Sequence, residues 1–170
     1  MIQRVQTVYM LASVIAILMM LIMPLGVIES SDAYFDVSAL GVTSVTEGVV
    51  LDRMCYDLLV VLLCMFVLPL VCIFLYNKRK VQLRILIYTA VLDVLFYVYF
   101  FCYMSGSVQS IAARTLELCG YATDVTASYS MVLYCMPALS VVCCVMAMRG
   151  VMYDIALLAS ADRLRSSRKK

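Results

Sequence analysis

The sequence predicts an all-α integral membrane protein, a four-transmembrane-helix bundle with both termini in the cytoplasm. Three observations point there. Of 170 residues, 65% are hydrophobic and 14% charged, whereas a soluble domain carries about 45–50% and about 25%. Four stretches are apolar over roughly the 20 residues that a helix needs to cross a hydrocarbon core. Between the second and third lies Tyr76–Arg84 (Y-N-K-R-K-V-Q-L-R), a basic hinge holding Lys78, Arg79, Lys80 and Arg84 and no acid.

The spans are expected at about 8–28, 58–76, 85–104 and 125–148. The first runs without charge from Arg4 to Glu29, and its Pro24 and Gly26 fall in the last turns, where a helix ends or bends at little cost. It reads as a retained helix, since its apolar run exceeds a signal-peptide h-region of about 7–15 residues and no A-x-A site follows. Pro69 and Pro137 lie inside the second and fourth spans, and kinks are expected there. The whole chain, 1–170, reads as one membrane domain.

Charge sorting orients the bundle. The N-terminus, the hinge 77–84 and the tail 149–170 hold eleven of the 13 basic residues, and Arg53 and Arg114 are the two elsewhere. Basic loops stay in the cytoplasm, so the connections 29–57 and 105–124 are external. The first of these is acidic, with Glu29, Asp32, Asp36, Glu47, Asp52 and Asp57. In it, Tyr34–Val37 and Val42–Thr46 flank Gly41 and have strand composition, which suggests a small β-hairpin lying on the bundle. The second contains Ser-Gly-Ser and then Ile111–Leu118, which suits a short helix. From Arg149 onward the tail keeps enough apolar residues to continue as a cytoplasmic helix.

Three stretches, M-I-Q-R-V-Q-T-V-Y (Met1–Tyr9), N-K-R-K-V-Q-L-R (Asn77–Arg84) and S-A-D-R-L-R (Ser160–Arg165), resemble a family of four-helix inner-membrane proteins of Bacteroidota, known only as a domain of unknown function. The resemblance implies a four-helix fold in the bacterial inner membrane and no particular activity. The family resembled typically carries a lysine and a glutamate beside the aspartate that matches Asp154; here the neighbours are Tyr153 and Ile155.

The residues themselves place Gln3, Arg4, Gln6, Arg79, Gln82, Arg84, Asp162, Arg163 and Arg165 near one membrane face. One reading is a set of anchors to anionic phospholipid, worth roughly 1 kcal/mol per basic residue. The sharper reading is a polar cluster that ties the termini to the hinge or docks a partner. Membrane-edge Lys and Arg usually serve the first role.

Asp93 is the one carboxylate deep inside an apolar run. It is either a proton or ion site, or a protonated or hydrogen-bonded acid held by a Tyr, Ser or Thr of a neighbouring helix, and its isolation from any base at that depth favours the second. Cys55 and Cys119 occupy the external connections, as one disulfide or as two free thiols. Most other cysteines sit in apolar runs as small packing residues.

Enzymatic chemistry finds few parts. With no His, His-based nucleophilic catalysis is excluded. An aspartyl dyad needs a second intramembrane acid, and a membrane thiol oxidoreductase needs paired cysteines such as C-x-x-C. No phosphate loop or metal-ligand spacing occurs. No cofactor and no nucleic-acid partner are expected. The expected function is a non-enzymatic structural or partner-binding component of an envelope complex, with a membrane-protein partner or a second copy of itself. The alternative is a small transporter or channel subunit that uses Asp93.

Overall fold

The computed structural model describes residues 2–30, 34–44, 52–54, 56–75, 78–119 and 126–167. It is mostly helical. Helix α1 spans Ile2–Ile22, α2 Tyr56–Phe74, α3 Arg79–Tyr99 and α5 Met131–Ser167. After α3 the chain passes through a π-helical turn, Phe100–Met104, and continues as α4, Ser105–Cys119. Four helices are long and apolar enough to cross a membrane: α1, α2, α3 with its continuation, and α5. They neighbour one another in the cyclic order α1–α2–α3–α5, so consecutive spans run antiparallel.

Each helix turns a stripe of alternating four- and three-residue steps inward: Gln6, Met10, Ser13, Ile17 and Met20 on α1, and Leu58, Leu62, Met65, Pro69 and Cys72 on α2. On α3 it runs Gln82, Leu86, Thr89, Asp93, Phe96; on α5, Leu133, Pro137, Ser140, Cys144, Ala147, Val151, Asp154. This heptad spacing is that of left-handed helix bundles. The outward positions are apolar as well: Val8, Leu11, Ile15 and Leu18 on α1, and Val91, Val94, Leu95 and Val98 on α3, are exposed. Buried Gln, Ser, Thr and Asp beneath an exposed coat of Val and Leu reverse the soluble pattern and suit a lipid surround.

Five short strands gather at one end: β1 Gly26–Glu29, β2 Tyr34–Ser38, β3 Gly41–Ser44, β4 Asp52–Met54 and β5 Thr126–Tyr129. They form one antiparallel sheet in the order β4-β3-β2-β1-β5. Its inner face (Ile28, Phe35, Val37, Val42) shares a core with Met20, Leu62, Phe96, Phe100, and Val108 and Ala112 of α4. The expected hairpin is therefore β2–β3, within a larger sheet.

The structure moves several expected boundaries. The first helix ends at Ile22, and Gly26–Glu29 is strand where the sequence suggested helix to 28. Gly26 sits opposite Tyr129, and a Cβ there would lie 2.9 Å from Cδ1 of the tyrosine and 3.0 Å from the Ser128 carbonyl oxygen. That ring packs edge-on to Phe100 at 5.4 Å and Phe101 at 6.1 Å, which joins the sheet to the π-helical turn. The fourth span begins at Met131, because Thr126–Tyr129 pairs with β1. Ser130 then ties the start of α5 to the end of α1, donating to the carbonyls of Pro24 and Leu25 at 3.0 and 3.1 Å.

The connection expected at 105–124 is helical as far as Cys119. Ser105 and Ser107 donate to the carbonyls of Phe101 and Tyr103, each at 3.0 Å, so their hydroxyls are satisfied within the helix. Phe100, Met104, Val108 and Ala112 meanwhile keep one face buried. The basic hinge is shorter than expected, because Val81 and Gln82 donate their backbone N–H to Lys78 and start α3 inside it. The tail continues the fourth helix: α5 runs 37 residues, about 55 Å at 1.5 Å per residue, well beyond a core of about 30 Å.

Candidate functional site

Polar side chains on the inward stripes meet in two layers. The first lies at the bundle end opposite the sheet, here termed the basic end. Gly150 and Asp154 stand one turn apart on α5. With no side chain at Gly150, Gln6 of α1 lies flat across it: a Cβ there would come within 2.7 Å of Gln6 Cγ. Gln6 Nε2 then donates to Asp154 Oδ2 at 2.9 Å. Arg79, in the first turn of α3, places Nη1 3.8 Å from the same Oδ2 and donates to the Asp154 backbone carbonyl at 3.4 Å. Asp154 is 7% exposed and Gln6 5%. One carboxylate thus holds three helices together.

One turn further along α3, Gln82 does a related job for α2. Its Nε2 donates to the Cys72 carbonyl at 3.2 Å and lies 3.6 Å from Met10 Sδ, while the Cys72 thiol points at the Gln82 carbonyl at 3.7 Å. Cys72 lies in the last turn of α2, and its carbonyl also accepts from the Leu75 N–H at 3.3 Å.

The second layer lies fourteen residues deeper on both α3 and α5, about 21 Å by helical rise. Asp93, Thr89, Ser13 and Ser140 are all fully buried there. Ser140 Oγ donates to Asp93 Oδ2 at 2.6 Å, Ser13 Oγ lies 2.7 Å from Ser140 Oγ, and Cys144 Sγ lies 3.8 Å from Ser13 Oγ. Asp93 Oδ1 meets no hydrogen-bonding group among the described residues. Thr89 donates to its own helix at Ile85. One turn beyond Asp93, the Tyr97 hydroxyl donates to the Tyr134 carbonyl, beside Pro137, whose missing N–H interrupts the ladder of α5.

Of the residues expected to cluster, Gln6 and Arg79 meet at Asp154, with Gln82 one turn away. Arg84 is exposed on α3, outside the cluster. Gln3 and Arg4 lie on α1 and Asp162, Arg163 and Arg165 on α5, but their side chains are outside the described residues. So is the Cys55–Cys119 pairing. The sequence reading left Asp154 out of the cluster and passed over Gly150, Ser13 and Ser140. A signal for three of them was present: Gln6 and Ser13 are seven apart, Gln82 and Thr89 seven, and Ser140 and Asp154 fourteen. Polar residues spaced in heptads through an apolar run mark its inward stripe. Among the described residues no group of three His, Cys, Asp or Glu could hold a metal ion.

A family model for a domain of unknown function, DUF4293, matches residues 2–164. The chain belongs to the DUF4293 family. The matched region takes in all four membrane-length helices, the sheet and both polar layers. In this DUF4293 member, Asp154 finds its partners across the bundle, on α1 and α3, rather than in the residues beside it. No curated protein matches the chain.

Proposed function

We propose that this protein is a non-enzymatic component of a bacterial inner-membrane complex, with both termini in the cytoplasm and its basic end as the docking platform for a membrane-protein partner. The lock of Gln6, Asp154 and Arg79 carries the reading. The lock fixes the ends of α1, α3 and α5 relative to one another, and its one acid is turned inward and engaged. Around it Lys78, Lys80, Arg84 and Arg149 are exposed, and no ion pair to any of the four is found among the described residues. A rigid base under unneutralised cations suits anionic phospholipid and an acidic segment of a partner. Basic residues retained on the cytoplasmic side support the orientation, and the resemblance to Bacteroidota proteins supports the inner membrane. The acidic connection 29–57 offers a second contact on the opposite side.

A second reading, a small transporter or channel subunit, draws on Asp93 and its unmet oxygen. Asp93→Asn tests it: full complementation of a knockout by this variant contradicts transport through that carboxyl.

Docking is tested by deleting Ser160–Lys170. The expected result is normal membrane insertion, because four spans remain, with loss of the partner from a gentle-detergent pull-down read by mass spectrometry. A pull-down that returns only a second, differently tagged copy identifies the partner as the protein itself. Full complementation with an unchanged pull-down contradicts the proposal.

A further inference from the structure

The deeper layer has a use that docking does not require. We propose that Asp93 is an exchangeable proton-binding site in the middle of the bundle, with Oδ1 as the atom that takes the proton. The carboxyl is fully buried, and the basic residue nearest along its own helix, Arg84, lies nine positions away, about 13 Å by helical rise. Arg79 is already engaged with Asp154. An acid at this depth with no cation beside it takes its counter-charge as a proton.

The hydroxyls around it are arranged to serve both states. When Asp93 is ionised, Ser140 donates to Oδ2, Ser13 donates to Ser140, and the Cys144 thiol donates to Ser13. Every hydrogen in the chain then points toward the carboxylate, and the one that reaches it, from Ser140, meets Oδ2. Oδ1 is left facing the apolar interior with its lone pairs unmet by any described group. A proton arriving there from water converts carboxylate to carboxylic acid, with no redox change. With the proton on Oδ1, Oδ2 remains the acceptor for Ser140 and the chain keeps its direction, so the same three groups accommodate both forms.

The other titratable groups around Asp93 are the Tyr97 hydroxyl on its own helix and the Cys144 thiol on α5, with Cys135 beside Tyr97 and Cys143 beside Cys144. The facing helix α1 contributes Ser13 alone, and α2 contributes Cys72, held a few turns away at Gln82. None of them replaces the proton as a counter-charge.

The test uses the full-length protein in liposomes and dicyclohexylcarbodiimide, a membrane-soluble reagent that modifies protonated carboxyls. The adduct is located by mass spectrometry, with Asp93→Asn as control. The expected result is an adduct at Asp93 whose yield falls about tenfold per pH unit above its midpoint, unaffected by sodium or lithium. Infrared difference spectra between low and high pH should show a protonated-acid carbonyl band that Asp93→Asn lacks. No adduct and no such band at any pH overturns the proposal and leaves a sealed structural hydrogen bond. An adduct suppressed by sodium or lithium also overturns it, in favour of a cation site. Neither outcome bears on docking at the basic end.

Discussion

Asp154→Ala is expected to destabilise the bundle by about 2 kcal/mol. The substitution leaves the Gln6 amide buried without its acceptor, which costs about 1–3 kcal/mol. Arg79 adds little to that, because its side chain is 29% exposed and swings to water once released. Asp154→Asn keeps a carbonyl oxygen for Gln6 and should cost about half as much. Reversible unfolding in mixed micelles, followed by circular dichroism, measures the difference. An effect of Asp154→Ala within about 0.5 kcal/mol, the range of an ordinary surface change, would contradict the lock.

Gly150→Ala is expected to destabilise although helix propensity alone predicts the reverse. Alanine in a helix interior gains about 1 kcal/mol over glycine. Here the new methyl falls 2.7 Å from Gln6 Cγ and 3.1 Å from Nε2, so Gln6 must leave its path and release Asp154. Overpacking of this kind costs about 1–3 kcal/mol, and the lost hydrogen bond adds to it. The net expectation is a loss of about 1–2 kcal/mol. In a Gln6→Ala background the obstacle is gone, and Gly150→Ala should become neutral or stabilising. The same cost in both backgrounds would show that Gly150 serves some other purpose.

These two effects concern residues that were hard to see in the sequence, and the reason is physical. In a soluble helix the inward face is apolar and the outward face polar, so the pattern declares the buried side. Here Val8 and Leu11 face outward while Met10 and Ile17 face inward, and no contrast separates them. The four spans were legible because length and apolarity suffice for that. The β2–β3 pair was legible from Tyr, Phe, Val and Thr around Gly41. Strand β1 was hidden because Val27 and Ile28 merely extend the apolar run of α1, and four residues are too few to show a period. Strand β5 was hidden for the same reason at the start of α5. The start of α4, ahead of the expected helix at Ile111–Leu118, was hidden by Ser105, Gly106 and Ser107, which read as a loop until the serine hydroxyls are found bonded to the preceding turn.

The site divides similarly. Asp93 was conspicuous as an acid among apolar residues, whereas Ser140 and Ser13, 47 and 127 positions from their partners, were not. Arg79, Gln6 and Gln82 were visible as polar residues near an edge. Asp154 lies past the expected end of the fourth span at 148 and outside the expected cluster, yet α5 carries its inward stripe on past that point.

The central claim is that the locked, basic end of the bundle faces the cytoplasm and the sheet faces the opposite side. Single-cysteine labelling in intact cells tests it most directly. In a cysteine-free background, Leu40→Cys and Ser110→Cys should react with a membrane-impermeant maleimide from outside. Lys78→Cys and Arg168→Cys should react only after permeabilisation. External labelling at 78 or 168, or protection of 40 and 110 in intact cells, would contradict the account.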